Sequence, residues 1–167
     1  MTAARLSDEA LSAAAASVAG HLIARGETVA IVESSAAGLI SASLLALPGA
    51  SRFFVGGAVV YTATAREALL GITPDDMVGL RSSSEPYARL LARRVRDRMG
   101  TAWGLAETGA AGPDGNRYGD PPGHSCFAVA GPVESVTTIR TGAADRESNM
   151  RAFAVNALRQ LETALTG

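Results

Sequence analysis

The sequence predicts one three-layer α/β/α domain with a mixed β-sheet, spanning residues 1–167. Three observations predict it. Apolar runs of strand length, at Val29–Val32, Phe53–Tyr61 and Ala102–Glu107, alternate with segments of helical periodicity, the pattern of parallel strands joined by helices. Two further β-rich runs, Ser125–Ala130 and Val133–Arg140, follow one another across Gly131-Pro132, which reads as a hairpin and makes the sheet mixed. The chain is 47% hydrophobic and long enough to bury one sizeable core, with no internal repeat and no interdomain linker.

The elements follow in order. Leu11, Ala14, Ala15, Val18 and Leu22 recur at helical spacing, with Ser7 as an N-cap, Asp8 and Glu9 in the first turn, and Gly26 as the stop. A strand at Val29–Val32 leads into a helix from about Gly38 to Leu47, closed by Pro48-Gly49. Phe53–Tyr61 reads as a buried strand whose Gly56-Gly57 pair marks a bulge or a close backbone approach. Thr64-Ala65-Arg66-Glu67 fits a capping box opening a short helix, and Thr73-Pro74-Asp75-Asp76 another helix start. Ser84-Glu85-Pro86 precedes a longer helix to Met99, ended by Gly100. A strand at Ala102–Glu107 feeds a long Gly- and Pro-rich loop, Gly109–Gly123, of a length usually kept for function or disorder. After the hairpin, Asp145–Leu165 is a closing helix with Phe153, Ala154, Leu158 and Leu161 on its apolar side.

Composition excludes several chemistries. Charge is nearly balanced, with a formal net charge of −1, so a nucleic-acid-binding face is not expected. The N-terminal residues lack the apolar core of a signal peptide and no apolar run is of membrane-spanning length, so a soluble cytoplasmic protein without a membrane partner is expected. A single cysteine, Cys126, excludes an intramolecular disulfide, and no cluster has metal-ligand spacing, so neither metal nor cofactor is expected. The chain contains no lysine: all fifteen basic residues are arginine. A Schiff base, a Ser–Lys dyad and a P-loop lysine are therefore excluded, and arginine holds anions without serving as a base.

The stretch Thr28–Leu47 holds the richest site signal. An apolar strand stops at Glu33-Ser34-Ser35, small residues follow, and a helix begins. Open α/β sheets place ligands at such strand ends, and free N–H groups at a helix start favour anions. Ser34 is a candidate nucleophile or a helix cap. Glu33 is a candidate base, orienting group or cap. Tyr61 ends the second strand and stands near Ser34 if the two strands are neighbours. Thr108–Gly115 follows the third strand and offers N–H groups as a phosphate nest. Arg146 and Arg151 open the last helix as phosphate ligands or as a solvated face. His21 reads as a packing or surface residue, and His124 stands beside the glycine loop.

Together these segments resemble one family, the C-terminal domain of the competence-damage-inducible protein CinA, which also occurs as a stand-alone nicotinamide-nucleotide amidase. The likeness covers nearly the whole chain. It is carried by Val32-Glu33-Ser34 with Gly38, Pro48-Gly49-Ala50-Ser51 with Phe54 and Gly57, and Val60-Tyr61. Leu70-Gly71, Ser84-Glu85, Thr108–Gly115, Pro122-Gly123 and Asp145-Arg146 with Arg151 extend it. The resemblance implies hydrolysis of the carboxamide of nicotinamide mononucleotide (NMN) to nicotinate mononucleotide and ammonia, in pyridine-nucleotide recycling. It implies Ser34 as nucleophile with Tyr61, Glu33 and Arg66 in the catalytic set. Ser35, Gly38, Thr108, Gly109, Gly112 and Arg146 are the expected substrate-binding residues, Arg146 and the Thr108–Gly112 loop toward phosphate. With the alanine-rich helices, it also implies a homo-oligomer. Two departures stand out. The family motif Glu-Ser-x-Thr-Gly-Gly reads Glu33-Ser34-Ser35-Ala36-Ala37-Gly38 here, and the lysine five residues after the family tyrosine is Arg66. A catalytically silent member that binds a mononucleotide or a partner protein through the same pocket is the alternative.

Overall fold

The computed structural model describes the backbone of residues 3–167 and side chains from residue 8 onward. Five α-helices and five strands follow in the expected order among the described residues: α1 (Ala3–Arg25), β1 (Val29–Glu33), α2 (Leu39–Leu45), β2 (Phe54–Val59), α3 (Ala63–Leu70), α4 (Glu85–Met99), β3 (Trp103–Ala110), β4 (His124–Ala130), β5 (Ser135–Arg140) and α5 (Arg146–Thr166). The sheet order is β2-β1-β3-β4-β5. Strand β1 runs parallel to β2 and β3, and β3-β4-β5 form an antiparallel meander, so the sheet is mixed.

Strand alternation divides the core in two. Val29, Ile31, Trp103, Leu105, Phe127 and Val129 face one layer, where α1, α2 and α5 pack. Ala30, Val32, Ala106, Cys126, Ala128 and Ala130 face the other, against α4 and the end of α3. The small residues on this second face let α4 approach closely. A Cβ at Gly104 would stand 2.1 Å from the Ala92 carbonyl oxygen, so β3 and α4 meet backbone to backbone.

Several expected boundaries shift. Helix α1 begins at Ala3, which puts Ser7 inside it rather than at its cap. Helix α3 is capped by Thr62, whose hydroxyl accepts from Ala65 N–H at 3.1 Å, two residues before the expected capping box. Thr73-Pro74 opens only a 3₁₀ turn, Asp75–Met77. Ser84 caps α4, and Asp145, expected as the first residue of the closing helix, is instead the cap of α5. The run Phe53–Tyr61 is not a fully buried strand: β2 lies at the sheet edge and alternates half-buried and exposed positions. Its glycine pair serves both expected purposes. The β1–β2 register shifts at Val29/Ala30, leaving Val55 as an extra residue. At Gly57 a Cβ would stand 2.2 Å from Ser41 Oγ, so α2 sits directly on β2.

Gly104→Ala is expected to lose about 1–3 kcal/mol of stability by forcing α4 off the sheet. Urea denaturation checks it, and an unchanged midpoint would show that the β3–α4 approach is not tight.

Candidate active site

Strand β1 ends at Glu33, and residues 34–38 turn the chain into α2. Period-two alternation sends the Glu33 side chain toward the α2 layer and Ser34 toward the α3/α4 layer. Two fully buried carboxylates hold the turn. Glu33 accepts from the N–H groups of Gly38 (3.1 Å), Ile40 (2.9 Å) and Ser41 (3.0 Å) and from the Ser41 hydroxyl (2.7 Å). Glu107, from β3, accepts from Ser34 N–H (3.1 Å), Ala36 N–H (2.8 Å) and the Ser125 hydroxyl (2.9 Å), and also from the Ser35 hydroxyl. Burial pushes the Glu107 carboxyl above its ordinary value of 4.5, against the opposing pull of these donors.

The α2 start is therefore closed to ligands. The N–H groups expected to attract an anion are satisfied by Glu33, whose role in the fold is that of a cap. Ser35 is buried with its hydroxyl on Glu107, and the half-buried Gly38 donates to Glu33; neither lines the cavity described next.

Ser34 instead opens onto a cavity of about 650 Å³ whose walls include Tyr61, Arg66, Tyr87, Thr108 and Tyr118. The neighbouring register of β1 and β2, with Glu33 opposite Val59, is what brings Ser34 and Tyr61 to the same space. Arg66, from α3, lies over the Tyr87 ring at 5.6 Å. Thr108 and Gly109 line the cavity as members of β3, ladder-paired with β4, rather than as a loop nest. Gly112 does not line it. Its carbonyl accepts from Arg146 Nη1 at 2.5 Å, and Arg146 Nη2 donates to the Tyr61 hydroxyl at 3.5 Å. Arg146 thus stands outside the lining and ties the glycine loop to Tyr61. Arg151 is engaged elsewhere, with Asp8 at 2.9 Å and Glu147 at 3.5 Å.

The long loop supplies the cavity's outer wall. Asn116 Oδ1 accepts from the N–H groups of Tyr118 (2.9 Å) and Asp120 (3.1 Å), folding a tight turn that presents Arg117 and Tyr118. Asp120 anchors that turn by a two-pronged pair with Arg81, at 2.6 and 3.1 Å. Burial opposes its ionisation, but Arg81 and Asn116 hold its carboxyl below the usual range. His124 donates from Nε2 to the Ser83 carbonyl at 2.9 Å, so it braces the cavity wall.

A family model, the CinA C-terminal domain, matches residues 11–165. The chain belongs to this family. It is 40% identical over 148 residues to a CinA-like protein of Anaeromyxobacter dehalogenans, covering 89% of this chain and 36% of that one. A CinA-like protein of Gloeobacter violaceus is 41% identical over 130 residues, covering 77% and 30%. The chain thus spans about a third of the length of these curated relatives. Among solved structures, a competence-damaged protein (CinA) superfamily protein of Enterobacter cloacae superposes with TM-score 0.85 at 26% identity, covering 93% of this chain and 92% of that one. The competence/damage inducible protein CihA of Agrobacterium tumefaciens gives 0.86 at 26%, covering 95% and 96%.

Within the CinA frame, the altered first motif has a visible consequence. Ala37 stands where the motif has glycine, and its φ of +56° is left-handed. Sequence reasoning missed Glu107, Arg117 and Tyr118. The signal for Glu107 was a carboxylate among the apolar residues of a strand, where a charge needs a partner. Arg117 and Tyr118 lay in the long loop without a pattern to single them out.

Ala37→Gly is expected to gain about 0.5–1 kcal/mol in urea melts, the left-handed strain relieved net of glycine's entropy. Glu107→Ala orphans two peptide N–H groups and is expected to lose about 2–4 kcal/mol, whereas Glu107→Gln keeps an acceptor for them and adapts to the rotatable serine hydroxyls, losing about 1 kcal/mol or less. The raised folded pKa also sets a pH slope. Folding retains the Glu107 proton to higher pH than the unfolded chain does, so stability falls as pH rises from 4.5 through the folded value. Glu107→Gln should flatten that slope in melts recorded against pH, and an identical slope in both proteins counts against it.

Proposed function

We propose that this CinA domain binds a phosphorylated pyridine amide and hydrolyses its carboxamide, NMN giving nicotinate mononucleotide and ammonia. The observation that carries the reading is Ser34. Its hydroxyl stands on a turn fixed by two buried carboxylates and opens onto a cavity within the range that holds a nucleotide-sized ligand. Rigid support of this kind is what a nucleophile needs, because a small misplacement costs rate steeply.

The chemistry is acyl transfer. Ser34 Oγ attacks the amide carbon, its proton passes to the departing nitrogen, and ammonia leaves an ester on Ser34. Water then cleaves the ester, releasing the carboxylate and restoring the hydroxyl. Glu33 is fully engaged by α2, which leaves Tyr61 or a bound water to pass the proton. Arg66 keeps its own proton and cannot be the base. Loss of a general base costs about 10²–10⁴-fold in rate, so slow turnover is expected.

That same residue favours a second reading. If the family lysine is the base, Arg66 makes this member a silent binder, retaining the pocket without the reaction.

Ammonia release from NMN separates the two. Activity that disappears in Ser34→Ala supports hydrolysis, and Arg66→Lys is expected to raise it by about 10²-fold or more. Equal background in the wild type and Ser34→Ala would sink the enzyme and leave the binder.

A further inference from the structure

We propose that His124 is a positioning residue for the cavity: through the Ser83 peptide it sets the Thr108 hydroxyl as a hydrogen-bond donor beside Ser34, for an acceptor oxygen of the ligand. This rests on the mononucleotide reading above and adds residues that act on the site from behind its wall.

The first observation is strain. Ser83 has a φ of +57°, in the left-handed region, without being glycine. A side chain makes that conformation costly, and such a residue persists only where its surroundings over-determine it. Here the Ser83 carbonyl accepts from His124 Nε2 at 2.9 Å, with Arg81 Nη1 at 3.4 Å and Cys126 Sγ at 3.6 Å around it. A carbonyl only accepts, so Nε2 carries the ring proton.

The second is the state of His124. The residue is 4% exposed, and its Nδ1 is buried with no hydrogen-bond partner among the described residues. An unpaired buried nitrogen is a cost that a leucine of similar bulk would not carry. Stability alone does not account for an imidazole here. Its shortest bond goes to the strained peptide in the cavity wall. Backbone strain on one side of a contact and an unsatisfied atom on the other mark a geometry held for function.

The third is what the held peptide does. Ser83 N–H donates to Thr108 Oγ1 at 3.3 Å, and among the described residues that hydroxyl has no acceptor of its own. A lone pair is taken from the Ser83 side, so the hydroxyl proton is left to donate to a ligand. Ser34, Ser83 and Thr108 all line the cavity. Strands β1 and β3 run parallel with Val32 beside Ala106, so two residues further on Ser34 and Thr108 stand side by side on one face. A donor at that place serves the oxygen of a carbonyl that Ser34 attacks. His124 never touches the ligand; it acts through Ser83 on Thr108.

Calorimetric titration of the full chain with NMN tests this in a double-mutant cycle. His124→Leu is expected to weaken NMN about three- to tenfold, the worth of one hydrogen bond. His124→Gln, whose amide can donate to the Ser83 carbonyl, is expected to recover most of that loss. Thr108→Val is expected to lose as much as His124→Leu. Adding His124→Leu to Thr108→Val is then expected to change affinity by less than about twofold, because both act through one hydroxyl. A purely structural role gives additive losses and no recovery specific to a donor. Undiminished affinity in Thr108→Val, additive losses in the pair, or equal losses in His124→Leu and His124→Gln overturn the positioning role. The Thr108→Val arm reads it even if His124→Leu fails to fold. Coupled losses without ammonia release sink the amidase reading alone. Ammonia release whose kcat and KM are untouched by His124→Leu sinks the positioning role alone. A wild type that binds no NMN sinks the mononucleotide reading, and the positioning role with it.

Discussion

Everything at the candidate site depends on two buried carboxylates gripping one turn. Glu33 and Glu107 together accept from five peptide N–H groups between Ser34 and Ser41. Burying a carboxylate is costly unless its oxygens are saturated by donors, and here they are. The arrangement is directional. Each glutamate is followed by a small hydroxyl residue, Ser34 or Thr108, which alternation sends to the opposite face. The same two strand ends thus carry structural charge on one side and cavity-lining hydroxyls on the other.

This division explains how the sequence could be read and misread at once. The α/β/α fold followed from strand-length runs alternating with helical periodicity, and the mixed sheet from the hairpin across Gly131-Pro132. These signals depend on local spacing. The edge position of β2 depends on strand order, which no local pattern contains, so its apolar run looked buried. Ser34 and Tyr61 share the cavity because β1 and β2 pair, which the sequence could state only as a condition, and Arg66 entered the set through the family resemblance. Ser35, Gly38 and Glu33 lie on the same segment yet serve the turn, since adjacency in a motif does not fix which face a residue presents. Glu107 acts across strands, 73 positions from Ser34, and only pairing of β1 with β3 brings them together.

The loop after β3 shows the same logic on the outer side. Its length marked it as functional or disordered, and its glycines beyond β3 do not line the cavity. Gly112 is fixed by Arg146, and the residues that reach the cavity, Arg117 and Tyr118, are presented by an Asn116–Asp120 turn pinned through Arg81. A flexible segment becomes a wall because one ion pair and two side-chain caps remove its freedom. Arg146 extends the bracing to Tyr61, so the cavity's two rims are mechanically joined.

The lysine-free composition then has a local meaning at Arg66. A lysine there would present a compact ammonium able to release its proton in a desolvated site. Arginine cannot, yet its planar group seats on Tyr87 and offers a fixed fork. Under the proposed function, the exchange removes one route for taking the Ser34 proton while keeping a positive charge in the cavity. Binding that is equal for substrate and transition state lowers KM without raising kcat. Under the proposed function, a pocket that keeps a cation but lacks a base gains occupancy at the expense of turnover, and Arg66 is the side chain on which that balance turns.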